Sequence, residues 1–150
     1  MLKPKTVFLV ILAGTIFLPL FSHATEFIAE CQDMEYVFKS AEAVVSGEVV
    51  NVESKREKGG AIFTYTDFRV NHYLKGKGDS VVTIKQFGGH IGNESQEIAG
   101  FPHFIVGQRG YLYLNKIDSE FYQNKFYGVV CGYGVTDVLP ASVPVNNNLN

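Results

Sequence analysis

The sequence predicts a mainly β domain, a small closed barrel of five strands preceded by one short helix. The 150-residue chain holds 15 glycines, 12 phenylalanines and 8 tyrosines without a tryptophan. This composition is typical of strands joined by tight turns, because aromatic and β-branched side chains favour extended backbone. Five valine-rich or aromatic segments bounded by turn residues follow one stretch with helical spacing, which gives the order of the elements.

The first 24 residues have the pattern of a secretory signal peptide. Two lysines precede an uncharged stretch, residues 6–21, and small residues occupy the −3 and −1 positions of a cut after Ala24. The alternative, an uncleaved anchor, needs about 20 apolar residues. We therefore predict a secreted or periplasmic protein that begins at Thr25 after cleavage.

Residues 25–138 are predicted to form one domain, and residues 139–150, rich in proline and asparagine, a flexible tail. Without residues 1–24, eleven basic residues face fifteen acidic ones, a net charge of −4. Nucleic acid is therefore not an expected partner. No second apolar stretch of about 20 residues follows, so we expect no stable membrane insertion after cleavage.

The predicted helix runs from Asp33 to Glu42. Asp33 is a suitable N-cap residue. A helix this short is not stable alone, so it must pack on the rest of the domain. The apolar residues at helical spacing are Met34, Val37, Phe38 and Ala41.

The first two predicted strands cover residues 43–53 and 61–76. Gly47 indicates a bend or a close approach in the first. The second alternates between two faces. Its expected core-facing residues are Ile62, Thr64, Thr66, Phe68, Val70 and Leu74. Its expected half-exposed residues are Phe63, Tyr65, Asp67, Arg69, Asn71, Tyr73 and Lys75.

Three further strands are predicted at residues 80–87, 109–116 and 126–135, and residues 88–107 are predicted to be a long loop. Five strands with a glycine bend and one helix favour a five-stranded OB-type Greek-key barrel, in which closure removes exposed sheet edges. A β-sandwich is the alternative architecture.

Four short motifs carry a family resemblance over about residues 31–135. They are Val45-x-Gly47-x-Val49, Leu74-Lys75-Gly76, Gly88-Gly89, and the set Gly100, Phe104 and Gly107. With these motifs the chain resembles a group of exported bacterial proteins, which is similar in turn to the OB barrel of netrin-like domains and tissue inhibitors of metalloproteinases. The resemblance implies the barrel fold and, as an alternative function, a netrin-like protease inhibitor.

One feature of those inhibitors is missing from this sequence. Their mature N-terminal residue is a cysteine whose amine and carbonyl chelate the protease zinc. Here the predicted mature chain starts at Thr25, and Cys31 lies six residues further on.

The two cysteines, Cys31 and Cys131, are predicted to form a disulfide between the N-terminal segment and the last strand. An even cysteine count and an oxidising compartment support this interpretation. A redox pair, a nucleophile and two free buried thiols are the alternatives.

The predicted loop contains His90, Glu94, Glu97 and His103, which are residue types that bind zinc. Their spacing matches no helical metal motif, and no serine lies in a nucleophile motif. We therefore predict no metal, no cofactor and no catalytic residue. A metal-binding or enzymatic domain that uses residues 88–107 is kept as an alternative.

The predicted function is an exported, non-catalytic binding module for an unknown protein or peptide. The candidate recognition residues are His90, Asn93 and Glu94 in the loop, with Tyr65 and Tyr73 on the half-exposed strand face. Phe104 and Ile105 are expected to be structural, whereas residues 89–96 are expected to be exposed and available for recognition.

Overall fold

The computed structural model describes residues 29–117 and 126–143. The predicted signal peptide and the end of the predicted tail lie outside these ranges. In the described ranges no helix is long and apolar enough to cross a membrane.

Residues 29–117 and 126–143 include a short α-helix and seven strands. They are α1 (Met34–Ser40), β1 (Ala43–Arg56), β2 (Ile62–Lys75), β3 (Val81–Phe87), β4 (Gly89–Ile91), β5 (Glu94–Gln96), β6 (Arg109–Ile117) and β7 (Phe126–Val129). The helix and the five predicted strands are confirmed. Two details differ: the last strand ends at Val129, and residues 88–107 are not a plain loop because they contain the β4–β5 hairpin.

Five strands close into a barrel in the order β1-β2-β3-β7-β6. All pairs are antiparallel except β3 with β7, which is parallel. This is the order of an OB-type Greek-key barrel, so the predicted fold class is confirmed. The pairing of β1 with β2 shifts register at Gly47, where a Cβ atom would overlap the carbonyl oxygen of Arg69. Only glycine allows the two strands to approach this closely.

Among the described residues, two apolar clusters stabilise the domain. The larger fills the barrel and includes Val45, Phe68, Ile84 and Leu112. The smaller lies outside the barrel wall, where Val37 of α1 and its neighbours pack against β1 and β6. The predicted docking of the helix is therefore confirmed.

The predicted alternation of β2 is wrong at its end. The pairing of β1 with β2 shifts register between Ser46 and Gly47 and again between Val44 and Val45. Because an extra residue in one strand of a pair changes which face the following side chains occupy, Tyr73 packs against the barrel core. Leu74 packs instead against the cluster under α1.

Asp33 caps α1 as predicted: its Oδ1 accepts a hydrogen bond of 2.9 Å from the backbone N–H of Glu35. We expect Asp33→Ala to lower the free energy of unfolding by about 1 kcal/mol, the usual cost of losing an N-cap acceptor. Asp33→Asn keeps an acceptor oxygen and is the matched control. Urea unfolding tests this, and equal losses in both variants would contradict the capping role.

A short turn follows β7. Val130–Gly132 form a 3₁₀ turn in which Cys131 has a φ of 53°. Cys131 is bonded to Cys31, with their Cα atoms 5.5 Å apart, so the predicted disulfide is present. Beyond it, Leu139 packs against the cluster under α1 and Pro140 is buried, so these two residues of the predicted tail contact the domain.

Candidate functional site

A cleft of about 480 Å³ lies at one end of the barrel, between the ends of β1, β2 and β3 and the chain from Gly88 to Phe104. A cleft of this size falls within the range of ligand pockets. It exists because β3 does not lead directly into β6. The intervening residues fold into a hairpin and a returning segment that together form its outer wall.

The barrel side of the cleft is polar. Ser54, Thr64 and Gln86 occupy it at the ends of three different strands. The hydroxyls of Ser54 and Thr64 are 3.0 Å apart, and that of Thr64 donates to the carbonyl oxygen of Gly88 at 2.8 Å. The Gln86 amide donates to the carbonyl oxygen of Pro102 at 3.4 Å. These contacts tie the outer wall to the barrel.

The β4–β5 hairpin is docked on the barrel. The N–H of Ile62 donates to Oε1 of Gln96 at 2.9 Å, and the N–H of His90 donates to the Ser54 hydroxyl at 3.3 Å. At the exposed edge, Arg56 and Glu94 form an ion pair of 2.5 Å. Residues 89–96 are largely exposed, as expected, and these contacts hold them in place.

The rim of the cleft is apolar. Phe87, Ile98 and Phe101 line it and remain 41%, 43% and 42% exposed. Phe104, at the end of the same segment, is 9% exposed and packs in the barrel core, which confirms its predicted structural role. The matching prediction for Ile105 is wrong. Ile105 is 68% exposed, because the chain turns there, with the N–H of Gln108 bonded to its carbonyl oxygen.

The predicted recognition residues are not brought together. His90 lines the cleft. Asn93 and Glu94 are exposed near the turn of the β4–β5 hairpin and are not part of the cleft lining. Tyr73 lies near the far end of β2, and its hydroxyl donates to the carbonyl oxygen of Asp79 at 2.8 Å. Burial, the larger cause, and the neighbouring Tyr127 raise the pKa of the Tyr73 hydroxyl.

Tyr65 belongs to an aromatic group that surrounds a lysine of the same chain. The side chain of Lys85 is 5% exposed, and its ammonium nitrogen lies 2.6 Å from a carboxylate oxygen of Glu57. It is 4.3 Å from the ring centroid of Phe63, 5.5 Å from that of Phe126 and 5.7 Å from that of Tyr65. The Tyr65 hydroxyl donates to a carboxylate oxygen of Glu57. The pKa of Tyr65 is raised, chiefly by burial and secondly by this hydrogen bond. Cation–π attraction holds the Lys85 ammonium against these rings, so the aromatic group is occupied by a contact within the domain.

His90, Glu97 and His103 also line the cleft. Within residues 29–117 and 126–143, however, no three histidine, cysteine or acidic side chains are grouped closely enough to hold a metal ion. In the same ranges no lysine or arginine lines the cleft. The cleft therefore combines an apolar rim with hydroxyl, amide and imidazole groups and a single carboxylate.

Comparison with protein-family models, with curated proteins and with solved structures finds no match for this chain. The resemblance to netrin-like domains accordingly stays a prediction.

Sequence reasoning did not identify the polar side of the cleft, because its three residues come from three strands. One signal was present: Thr64 lies on the predicted core-facing side of β2, where an apolar residue is the usual choice. The apolar rim had a clearer signal in Ile98 and Phe101, since a freely solvated segment seldom carries exposed large apolar residues close together.

Proposed function

We propose that this protein is an exported, non-catalytic binding module whose cleft holds an apolar peptide segment of a partner protein. The observation that carries the proposal is the apolar rim of Phe87, Ile98 and Phe101 around a polar interior. Sites that recognise ligands combine apolar lining with a few convergent polar groups.

The charge of the cleft supports a peptide over nucleic acid. Its described lining holds Glu97 and no lysine or arginine, and the chain after residue 24 has a net charge of −4. A phosphate backbone needs basic partners for its affinity. An apolar peptide needs none.

Two observations support export. The sequence before Thr25 has the pattern of a cleavable signal peptide. The Cys31–Cys131 disulfide is of the kind that persists in oxidising compartments such as the periplasm or the extracellular space.

Binding of defined peptides tests the proposal. The mature protein is used to select binders from a phage-displayed library of random linear peptides, and a selected peptide is then titrated by fluorescence anisotropy. We expect Phe101→Ala and Ile98→Ala each to raise its Kd about tenfold or more, as for an anchor contact in an interface.

The matched controls are Val81→Ala and Ile117→Ala, because these residues are similarly exposed but lie outside the cleft lining. They should leave the Kd unchanged. A selection without binders, or equal effects in the cleft and control variants, would overturn the proposal. Inhibition of a zinc metalloproteinase by the mature protein, unaffected by Phe101→Ala, would favour the inhibitor interpretation instead.

A further inference from the structure

The second half of β1 has an open edge. β6 pairs with β1 only from Ala43 to Glu48, whereas β2 pairs with β1 as far as Arg56. The last backbone contacts on the β6 side are at Val49, which bonds to Gln108 and Gly107. Beyond this point, no described strand pairs with β1 on that side. The nearby β4 contacts β1 through the Ser54 hydroxyl, which accepts from the N–H of His90, and not through a backbone ladder.

The hydrogen-bond pattern of the β1–β2 hairpin shows which groups point outward. The N–H of Glu57 donates to the carbonyl oxygen of Ala61 at 3.0 Å. Hydrogen-bonded pairs alternate along an antiparallel ladder, so the N–H and C=O groups of residues 51, 53 and 55 point toward β2. Those of Val52, Ser54 and Arg56 point to the open edge.

The partner of Arg56 in this register confirms the assignment. Ile62 donates its N–H to Gln96 and accepts at its carbonyl oxygen from the N–H of Gly88, so both of its backbone groups face away from β1. The open edge therefore carries three N–H and three C=O groups that have no backbone partner among the described residues.

This edge borders the cleft. Val52 and Ser54 are part of its lining, which places their side chains on the same face of the sheet as the cleft. A strand added beside them would place every second side chain over the cleft, toward Ile98 and Phe101, and the others toward solvent. Addition of a strand to a sheet edge, with pockets for alternate side chains, is a general mode of peptide recognition.

We propose that the partner segment binds as an extended strand on the edge from Val52 to Arg56, with apolar residues at alternate positions that enter the cleft. This inference rests on the proposed function and specifies how the peptide occupies the cleft.

A second copy of the chain fits this edge less well than a peptide, because paired edges would direct the side chains of Ser54 and Arg56 toward an apolar rim. The exposed charges of Glu53 and Lys55 also disfavour pairing of this edge with itself.

Amide hydrogen exchange, measured by NMR on the mature protein with and without a peptide selected as above, tests the edge directly. Binding should slow exchange at Val52, Ser54 and Arg56 about tenfold or more, because these N–H groups gain acceptors. The amides of Glu53 and Lys55 already bond to β2 and are internal controls that should not change.

A second measurement changes only the backbone of the peptide. Single N-methyl groups at alternate peptide positions should raise the Kd about tenfold or more, while methylation at the intervening positions should have little effect.

The outcomes separate the two proposals. If the peptide binds and Phe101→Ala weakens it, but the edge amides stay unprotected and N-methylation is tolerated everywhere, the strand inference is wrong while the proposed function stands. If no peptide binds, both are wrong. Concentration-dependent protection of the same amides in the peptide-free protein would show a second copy on the edge and would overturn the peptide occupant.

Discussion

Replacing both cysteines with serine is expected to lower the free energy of unfolding by about 2–5 kcal/mol. The bond joins residues 100 positions apart, and closing a loop of that length contributes about 4.7 kcal/mol in the chain-entropy model. It also secures the chain next to α1, where the Tyr133 hydroxyl donates to the carbonyl oxygen of Cys31 at 2.8 Å. Neither cysteine belongs to a barrel strand, so the double variant should still fold.

Urea unfolding of Cys31→Ser/Cys131→Ser against the oxidised protein measures this difference. The reduced wild-type protein is the matched control and should unfold at the same urea concentration as the double variant. Full reactivity of both thiols in the native, non-reduced protein would show that the bond does not form, and equal stability of all three samples would show that it contributes nothing.

Replacing Phe104 with alanine is expected to destabilise the domain by about 3–5 kcal/mol, the range for removing a buried aromatic side chain. Phe104 enters the barrel core from the segment that closes one end of the barrel, and its ring packs in the same cluster as Phe68 and Leu112. Alanine would leave a cavity beside these residues.

Its neighbour provides the control. Ile105 is 68% exposed, so Ile105→Ala should change the free energy of unfolding by no more than about 0.5 kcal/mol. Both variants are compared by urea unfolding under identical conditions. A silent Phe104→Ala, or a larger loss for Ile105→Ala, would mean that the anchor of this segment is misassigned. Because Phe104 also lines the cleft, its loss should weaken peptide binding as well.

The candidate site was only partly predictable. Ile98 and Phe101 were visible as apolar residues in a glycine-rich segment, and His90 does line the cleft. Asn93 and Glu94 do not, because the hairpin turn carries them away from the barrel. The open edge of β1 was not predictable, since it depends on where β6 begins relative to β1, which is a matter of register between distant segments.

The aromatic face predicted on β2 shows a related limit. Tyr65 and Phe63 do lie on one face of the strand, as the alternation indicates. The strand pattern could not show that Lys85 of β3 lies against both rings, because that contact depends on the pairing of Tyr65 with Lys85 across the sheet.

The sequence by itself determined the short helix, the five barrel strands and the class of the fold, but not the β4–β5 hairpin. Three local features carried these predictions: the Asp33 cap, the alternation of β2 as far as Val70, and Gly47 in β1. Local features act through backbone preference and through the period of apolar residues, both of which can be seen in the sequence. The tertiary structure alone decided the rest. The bulges that exchange Tyr73 and Leu74, the cleft built from three strand ends and the open edge of β1 all depend on contacts between residues far apart in the chain. No short-range pattern encodes such contacts, because a shift of one residue in pairing moves every following side chain to the other face of the sheet.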